Sequence, residues 1–151
     1  MNLEELGMAI PLHVSLYQLN TWHSQSSQEG IPGYLLALER ICAEVSLAIQ
    51  QGFKVVVLSD IATNAERVAI SSLIAIGGVH HHLVRSKQRS KIALISESAE
   101  AREVHHICVL LGYGADAICP YLAMEAVLKL KRENVIKSDL SPEKFISNYK
   151  K

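Results

Sequence analysis

Val55-Val56-Val57-Leu58-Ser59-Asp60 is the stretch on which the fold turns. Four apolar residues, three of them β-branched, stand together without polar alternation, and the run then stops on a polar pair. A strand with one wet face alternates. An unbroken apolar run is what a strand covered on both faces looks like, and such strands belong to parallel sheets. The pattern returns at Lys91-Ile92-Ala93-Leu94-Ile95-Ser96 and, shortened, at Asp116-Ala117-Ile118-Cys119 before Pro120. A weaker version precedes them over residues 12–19, where Val14, Leu16 and Leu19 are interrupted by His13, Ser15 and Gln18.

Helical periodicity fills the gaps. Over residues 34–51, Leu35, Leu38, Ile41, Cys42, Val45, Ala48 and Ile49 recur at steps of three and four, with Gly33 and Gly52 at the boundaries. Thr63 and Glu66 have capping-box spacing, which predicts a helix running to about residue 85 with Leu73, Ile76, Val79 and Leu83 inward. Residues 101–111 place Val104, Ile107, Cys108 and Leu111 on one stripe, and Gly112 and Gly114 stop them. Residues 122–132 offer Leu122, Val127 and Leu130 as core positions, with Lys129, Lys131 and Arg132 at the negative helix end. Residues 20–33 read as a polar loop holding Trp22, and residues 133–140 as a linker. Ser141-Pro142 opens a terminal helix over 141–151.

Strand then helix, four times over, predicts an α/β fold: four successive parallel βα units, an incomplete (rudimentary) TIM-barrel-like arrangement with a terminal helix, all in a single domain. An open doubly wound sheet shares this local pattern, and periodicity does not choose between them.

The 151 residues suit one domain, and 49% apolar content suffices for a sizeable core. Fifteen basic and 15 acidic side chains cancel. That balance argues against a nucleic-acid or membrane-surface partner drawn by net charge. Residues 1–6 carry two glutamates where a signal peptide needs cations, and no apolar run approaches a membrane span. Cys42, Cys108 and Cys119 make neither a disulfide framework nor a Cys-x-x-Cys pair, which fits a reduced, cytoplasmic setting.

In a parallel β/α fold, ligands gather where the strands end. Three ends are polar: Ser59-Asp60, Ser96-Glu97-Ser98 and Cys119-Pro120-Tyr121. Asp60 and Glu97 have the position of an acid, base or ligand, and Cys119 faces the same end. Capping and loop solvation account for the same residues. The histidines cluster as His80-His81-His82 and His105-His106. Consecutive helical residues diverge by about 100°, so the triplet does not present three imidazoles to one ion. Glu103 and His106 have Glu-x-x-His spacing without the second copy a di-metal site needs. Buried, hydrogen-bonded histidines are the simpler reading. No residue is assigned to catalysis, cofactor or metal.

Several of these segments together resemble one family. The stretch from Leu38-Glu39-Arg40-Ile41-Cys42-Ala43-Glu44 through Leu58-Ser59-Asp60 is similar to the late central domain of the glutamate synthase large subunit. So are Val79-His80-His81-His82-Leu83-Val84-Arg85, Ala101-Arg102-Glu103-Val104-His105-His106, Leu110-Leu111-Gly112-Tyr113-Gly114-Ala115 and Pro120-Tyr121-Leu122. The match covers about residues 34–129. The resemblance implies a rudimentary relative of a flavin barrel, set between an amidotransferase region and a region holding FMN and an iron–sulfur cluster. On that reading, glutamate synthesis from glutamine and 2-oxoglutarate is the work of the intact enzyme, and no cofactor binds this chain. His80, His81, His82, Glu103, His105, His106, Tyr113, Pro120 and Tyr121 are then family markers with structural roles. The family usually has Asp-Arg, Gly-Glu and Asn-Pro-Tyr where this chain has Asp60-Ile61, Ala99-Glu100 and Cys119-Pro120-Tyr121.

The expectation is therefore a non-catalytic scaffold that binds other domains or subunits of glutamate synthase, or associates with itself. It would be cytoplasmic, or stromal in a photosynthetic eukaryote. A small stand-alone enzyme or binding module using Asp60, Glu97 and Cys119, and a truncated remnant without activity, are the alternatives.

Overall fold

The structure, a computed structural model, describes residues 15–24, 30–65, 67–137 and 139–150. Four strands form one parallel sheet: β1 (Leu16–Asn20), β3 (Val55–Ser59), β5 (Ala93–Glu97) and β6 (Ala117–Cys119), adjacent in chain order. Sequential order without reversal is the barrel arrangement, since a doubly wound sheet would turn back at a switch point. Helices α1 (Gly30–Gln50), α2 (Ser72–Arg85) and α3 (Val104–Gly112) connect these strands. After β6 follow α4 (Tyr121–Arg132) and α5 (Pro142–Tyr149).

Side chains alternate along a strand, and here both faces are used. Leu19, Val56, Leu58 and Leu94 pack with Ile41, Val45, Ile76, Val79, Leu83 and Leu110 of α1 to α3, and Ile118 joins them. Full burial of each Leu or Ile is worth about 1.5–3 kcal/mol, so this cluster holds the sheet to its helices. The next residue, Cys119, packs instead with Met124 of α4 and with Tyr121, Ile146 and Tyr149. Alternation therefore puts α4 and α5 across the opposite face at the carboxyl end of β6. The fourth helix leaves the ring that α1 to α3 begin.

The structure corrects several local expectations. A two-stranded antiparallel ribbon, β2 (Trp22–Ser24) with β4 (Arg67–Ala69), occupies stretches read as loop and helix. Consequently α2 begins at Ser72, not near Thr63, and Glu66 lies outside the described residues. The Thr63 hydroxyl donates to the Asp60 carbonyl at 2.6 Å, closing a turn rather than opening a helix. Gly33 lies inside α1, which starts at Gly30. On α3 the buried residue is Leu110, while Val104 is 78% exposed and Cys108 and Leu111 face solvent. On α4, Ala123 and Met124 are buried, whereas Leu122 and Leu130 are exposed. Residues 12–14 of the first predicted strand lie outside the described residues. The terminal helix matches its expected start, with Ser141 Oγ accepting from Lys144 N.

Candidate functional site at the carboxyl ends of the strands

In register, Asn20 lies beside Ser59, Ser59 beside Glu97, and Glu97 beside Cys119. Ser59, Glu97 and Cys119 share the face turned from the main core. Glu97 is buried, and its Oε2 accepts from Ser59 Oγ at 2.5 Å and Gln18 Nε2 at 3.0 Å. Hydrogen bonds to an ionised acceptor are the strong ones, so this carboxylate ties three strands side by side. Burial, and next the Glu97 charge, push the Cys119 thiol up to about 12. Both effects oppose formation of the thiolate.

Asp60 follows β3 and is also buried. Its Oδ2 accepts from Ala99 N at 2.9 Å and Ser98 Oγ at 3.1 Å, and its Oδ1 from the Tyr121 hydroxyl at 2.9 Å. Burial and then the bond to Asp60 raise the Tyr121 hydroxyl above its usual range, which keeps it a donor. The ladder continues past the strands, with Asp60 N donating to Glu97 O and Ser98 N to Cys119 O. Pro120 is the N-cap of α4, and its carbonyl accepts from Met124 N at 3.1 Å.

Ser96 does not join this group. It pairs with Leu58 and Ile118, so it faces the helices, and its buried Oγ has no partner among the described residues. A residue that sequence reasoning missed stands nearby. Glu100 Oε2 accepts from Ser72 N at 2.8 Å, Ser72 Oγ at 2.7 Å and Ser71 Oγ at 3.2 Å. The N-cap Ser71 makes no cap bond of its own, so a carboxylate from another loop caps α2. A cap from 28 residues away leaves no local spacing to find.

The histidines separate rather than converge. His80 Nδ1 accepts from Arg89 Nε at 3.1 Å, and His82 Nε2 lies 2.8 Å from Ser46 Oγ. The Ser46 hydroxyl also lies 3.1 Å from the Cys42 carbonyl, one turn back on α1. The exposed His81 meets His80 edge-on at 5.3 Å. His106 Nδ1 accepts from Arg102 N at 3.2 Å, and its Nε2 lies 3.6 Å from Glu103, while the exposed His105 sits beside it. Tyr113 lies against Gly77, where an added Cβ would come within 3.0 Å of its ring. Among the described residues, no group of three His, Cys, Asp or Glu side chains is placed to hold a metal ion. No helix among them is long and apolar enough to cross a membrane.

At this end of the sheet Glu100 occupies the Ser72 amide of the α2 N-terminus, close to the buried acids Asp60 and Glu97. Three surface cavities, between α4 and α5, at the amino end of β5, and over α1, α2 and Tyr113, are lined by neither Asp60 nor Glu97.

Comparison with known proteins shows the family. The glutamate synthase central domain family matches residues 4–151. The chain is 56% identical over 122 residues to "Glutamate synthase [NADH]" of Schizosaccharomyces pombe, covering 81% of this chain and 6% of that protein. It is 47% identical over 128 residues to "Glutamate synthase [NADH]" of Saccharomyces cerevisiae, covering 81% and 6%. With "Glutamate synthase [NADPH] large chain" of Bacillus subtilis it shares 41% over 114 residues, covering 76% and 7%. The chain thus spans less than a tenth of the length of these relatives. The family model spans nearly the whole chain, and the chain belongs to the glutamate synthase central domain family.

Proposed function

We propose that this domain is a non-catalytic scaffold within a glutamate synthase, joining the amidotransferase region to the region that holds FMN and the iron–sulfur cluster. In the intact enzyme the chemistry is glutamate formation from glutamine and 2-oxoglutarate, and this chain contributes no catalytic or cofactor ligand to it. One observation carries the reading. At the end of the sheet where a β/α enzyme keeps its reactive groups, Asp60 and Glu97 are buried and committed to intramolecular donors. These bonds fix strand ends and loop positions, which is what a spacer between two active regions requires.

The test is co-expression with the S. pombe relative from which the matching stretch has been deleted. A scaffold restores a soluble assembly and glutamine-dependent glutamate formation, and the Glu97→Gln variant restores it in proportion to its folded fraction. A stand-alone enzyme or binding module would behave otherwise. It would leave the deleted relative inactive and show a metabolite-induced thermal shift that Asp60→Ala abolishes.

A further inference from the structure

We propose that the groove over α1 and α2 is the seat of an amphipathic helix from the remainder of the glutamate synthase polypeptide, carrying an acidic side chain that meets Arg85. The inference rests on the scaffold reading above and names where that scaffold is gripped. The groove has a volume of about 420 Å³, and Leu38, Ile74, Gly78, His81, Arg85 and Tyr113 line it. Ile74 is 47% exposed and Tyr113 51%, and Leu35 at 54% extends the apolar surface along α1. Ile74, Gly78, His81 and Arg85 recur at steps of three and four, which is one outward stripe of α2.

Its shape favours a helix. The stripe from Ile74 to Arg85 runs roughly 16 Å, about three turns of a partner helix. At its middle, Gly77 and Gly78 keep the floor low between raised walls. A Cβ at Gly78 would fall 2.8 Å from the Leu38 side chain, and one at Gly77 would meet Tyr113. The glycines thus serve packing within the domain and leave a trough between Leu38 and Tyr113 that knobs of a facing helix can enter.

Charge fixes the rest of the occupant's chemistry. No acid lines the groove, and Arg85 at its end makes no ion pair among the described residues. Docking over it would desolvate the guanidinium, and a carboxylate on the incoming helix offsets that cost. Such a helix has an ample source. The matched stretch is 6% of each of two relatives, so most of those polypeptides lies outside the domain.

Thiol protection tests this. In the isolated chain, Ile74→Cys is labelled by a maleimide at the rate of an exposed thiol. In the full S. pombe relative carrying a cysteine at the aligned position, labelling falls at least about tenfold if the groove is occupied. This chain grafted into that relative in place of the matching stretch gives the same protection, and Arg85→Glu removes it. Equal rates in the isolated chain and in an active full-length relative overturn the groove while leaving the scaffold reading intact. Loss of labelling with concentration in the isolated chain, with a doubled mass by light scattering, makes a second copy the occupant and also overturns it. If the graft does not fold, the full-length relative alone decides.

Discussion

Arg89 Nε donates to His80 Nδ1 at 3.1 Å, and the same guanidinium reaches the Ile92 and Gly114 carbonyls and the Asp116 carboxylate, each at 2.8 Å. One side chain thereby fastens α2 to the starts of β5 and β6. The bond also dictates a protonation state, because a nitrogen that accepts from Arg89 carries no proton. Burial first, then Arg89 and His81, hold the His80 pKa below its ordinary 6.5, with Asp116 opposing. The folded chain therefore takes up this proton later than the unfolded chain does. His80 contributes its full stability above the ordinary histidine range, loses it progressively as pH falls through that range, and loses no more once pH passes the depressed folded value. Urea midpoints measured from about pH 7.5 to about pH 5 should fall more steeply for the parent than for His80→Gln.

Gly114 is a position where no side chain is accommodated. Its φ of +110 is left-handed, and an added Cβ would run into the His80 ring. Gly114→Ala combines backbone strain with that collision and should cost about 3 kcal/mol or more in urea unfolding. Gly112→Ala, at the end of α3 with open space around its Cβ and no left-handed φ, should be neutral or stabilise by up to about 1 kcal/mol.

Removing the carboxylate of Glu100 strips the cap from α2. Glu100→Ala should lower stability by about 1 kcal/mol, as loss of a helix cap does. Hydrogen exchange locates the effect, since the first-turn amides of α2 should speed up while those of β3 do not.

Asp60 and Tyr121 distinguish a lost bond from orphaned donors. Tyr121→Phe removes one donor and should cost about 1 kcal/mol. Asp60→Ala leaves Ala99 N, Ser98 Oγ and Tyr121 Oη without their acceptor and should cost about 3 kcal/mol. Chemical unfolding of both variants and the double variant measures the coupling directly.

The three thiols should react in a fixed order. Cys108 is exposed, Cys42 is half-buried with its pKa raised first by burial, and Cys119 is pushed up to about 12. Iodoacetamide at mildly alkaline pH should modify Cys108 first, Cys42 next, and Cys119 only on unfolding. Peptide mapping over time reads the order.

What the sequence disclosed depended on how local the cause was. The runs at Val55 and Ala93 announced buried parallel strands because burial on both faces leaves its mark within one segment. Ser141-Pro142 announced α5 for the same reason, cap and helix being adjacent. Thr63 and Glu66 misled because a short ribbon, β2 with β4, brings together segments about 45 residues apart, and tertiary pairing overrode a local signal. The α3 stripe failed differently. In α3 every residue from 107 to 111 is apolar, so periodicity could not say which side meets the sheet, and Leu110 won. At the candidate site, Asp60 and Glu97 were legible from their place at strand ends. Their roles were not, because the donors come from Gln18, Ala99 and Tyr121 on separate segments.

The departure of α4 to the far side of the sheet has an architectural consequence. Cys119 meets Met124 where a closed barrel would stack inward-pointing side chains from other strands. At the end of β6 that place is taken by α4 and α5. Extending the domain by four more βα units would therefore not yield an eight-stranded barrel unless α4 and α5 were first displaced. Growth by simple repetition of the βα unit is blocked at β6 by the two helices that follow it.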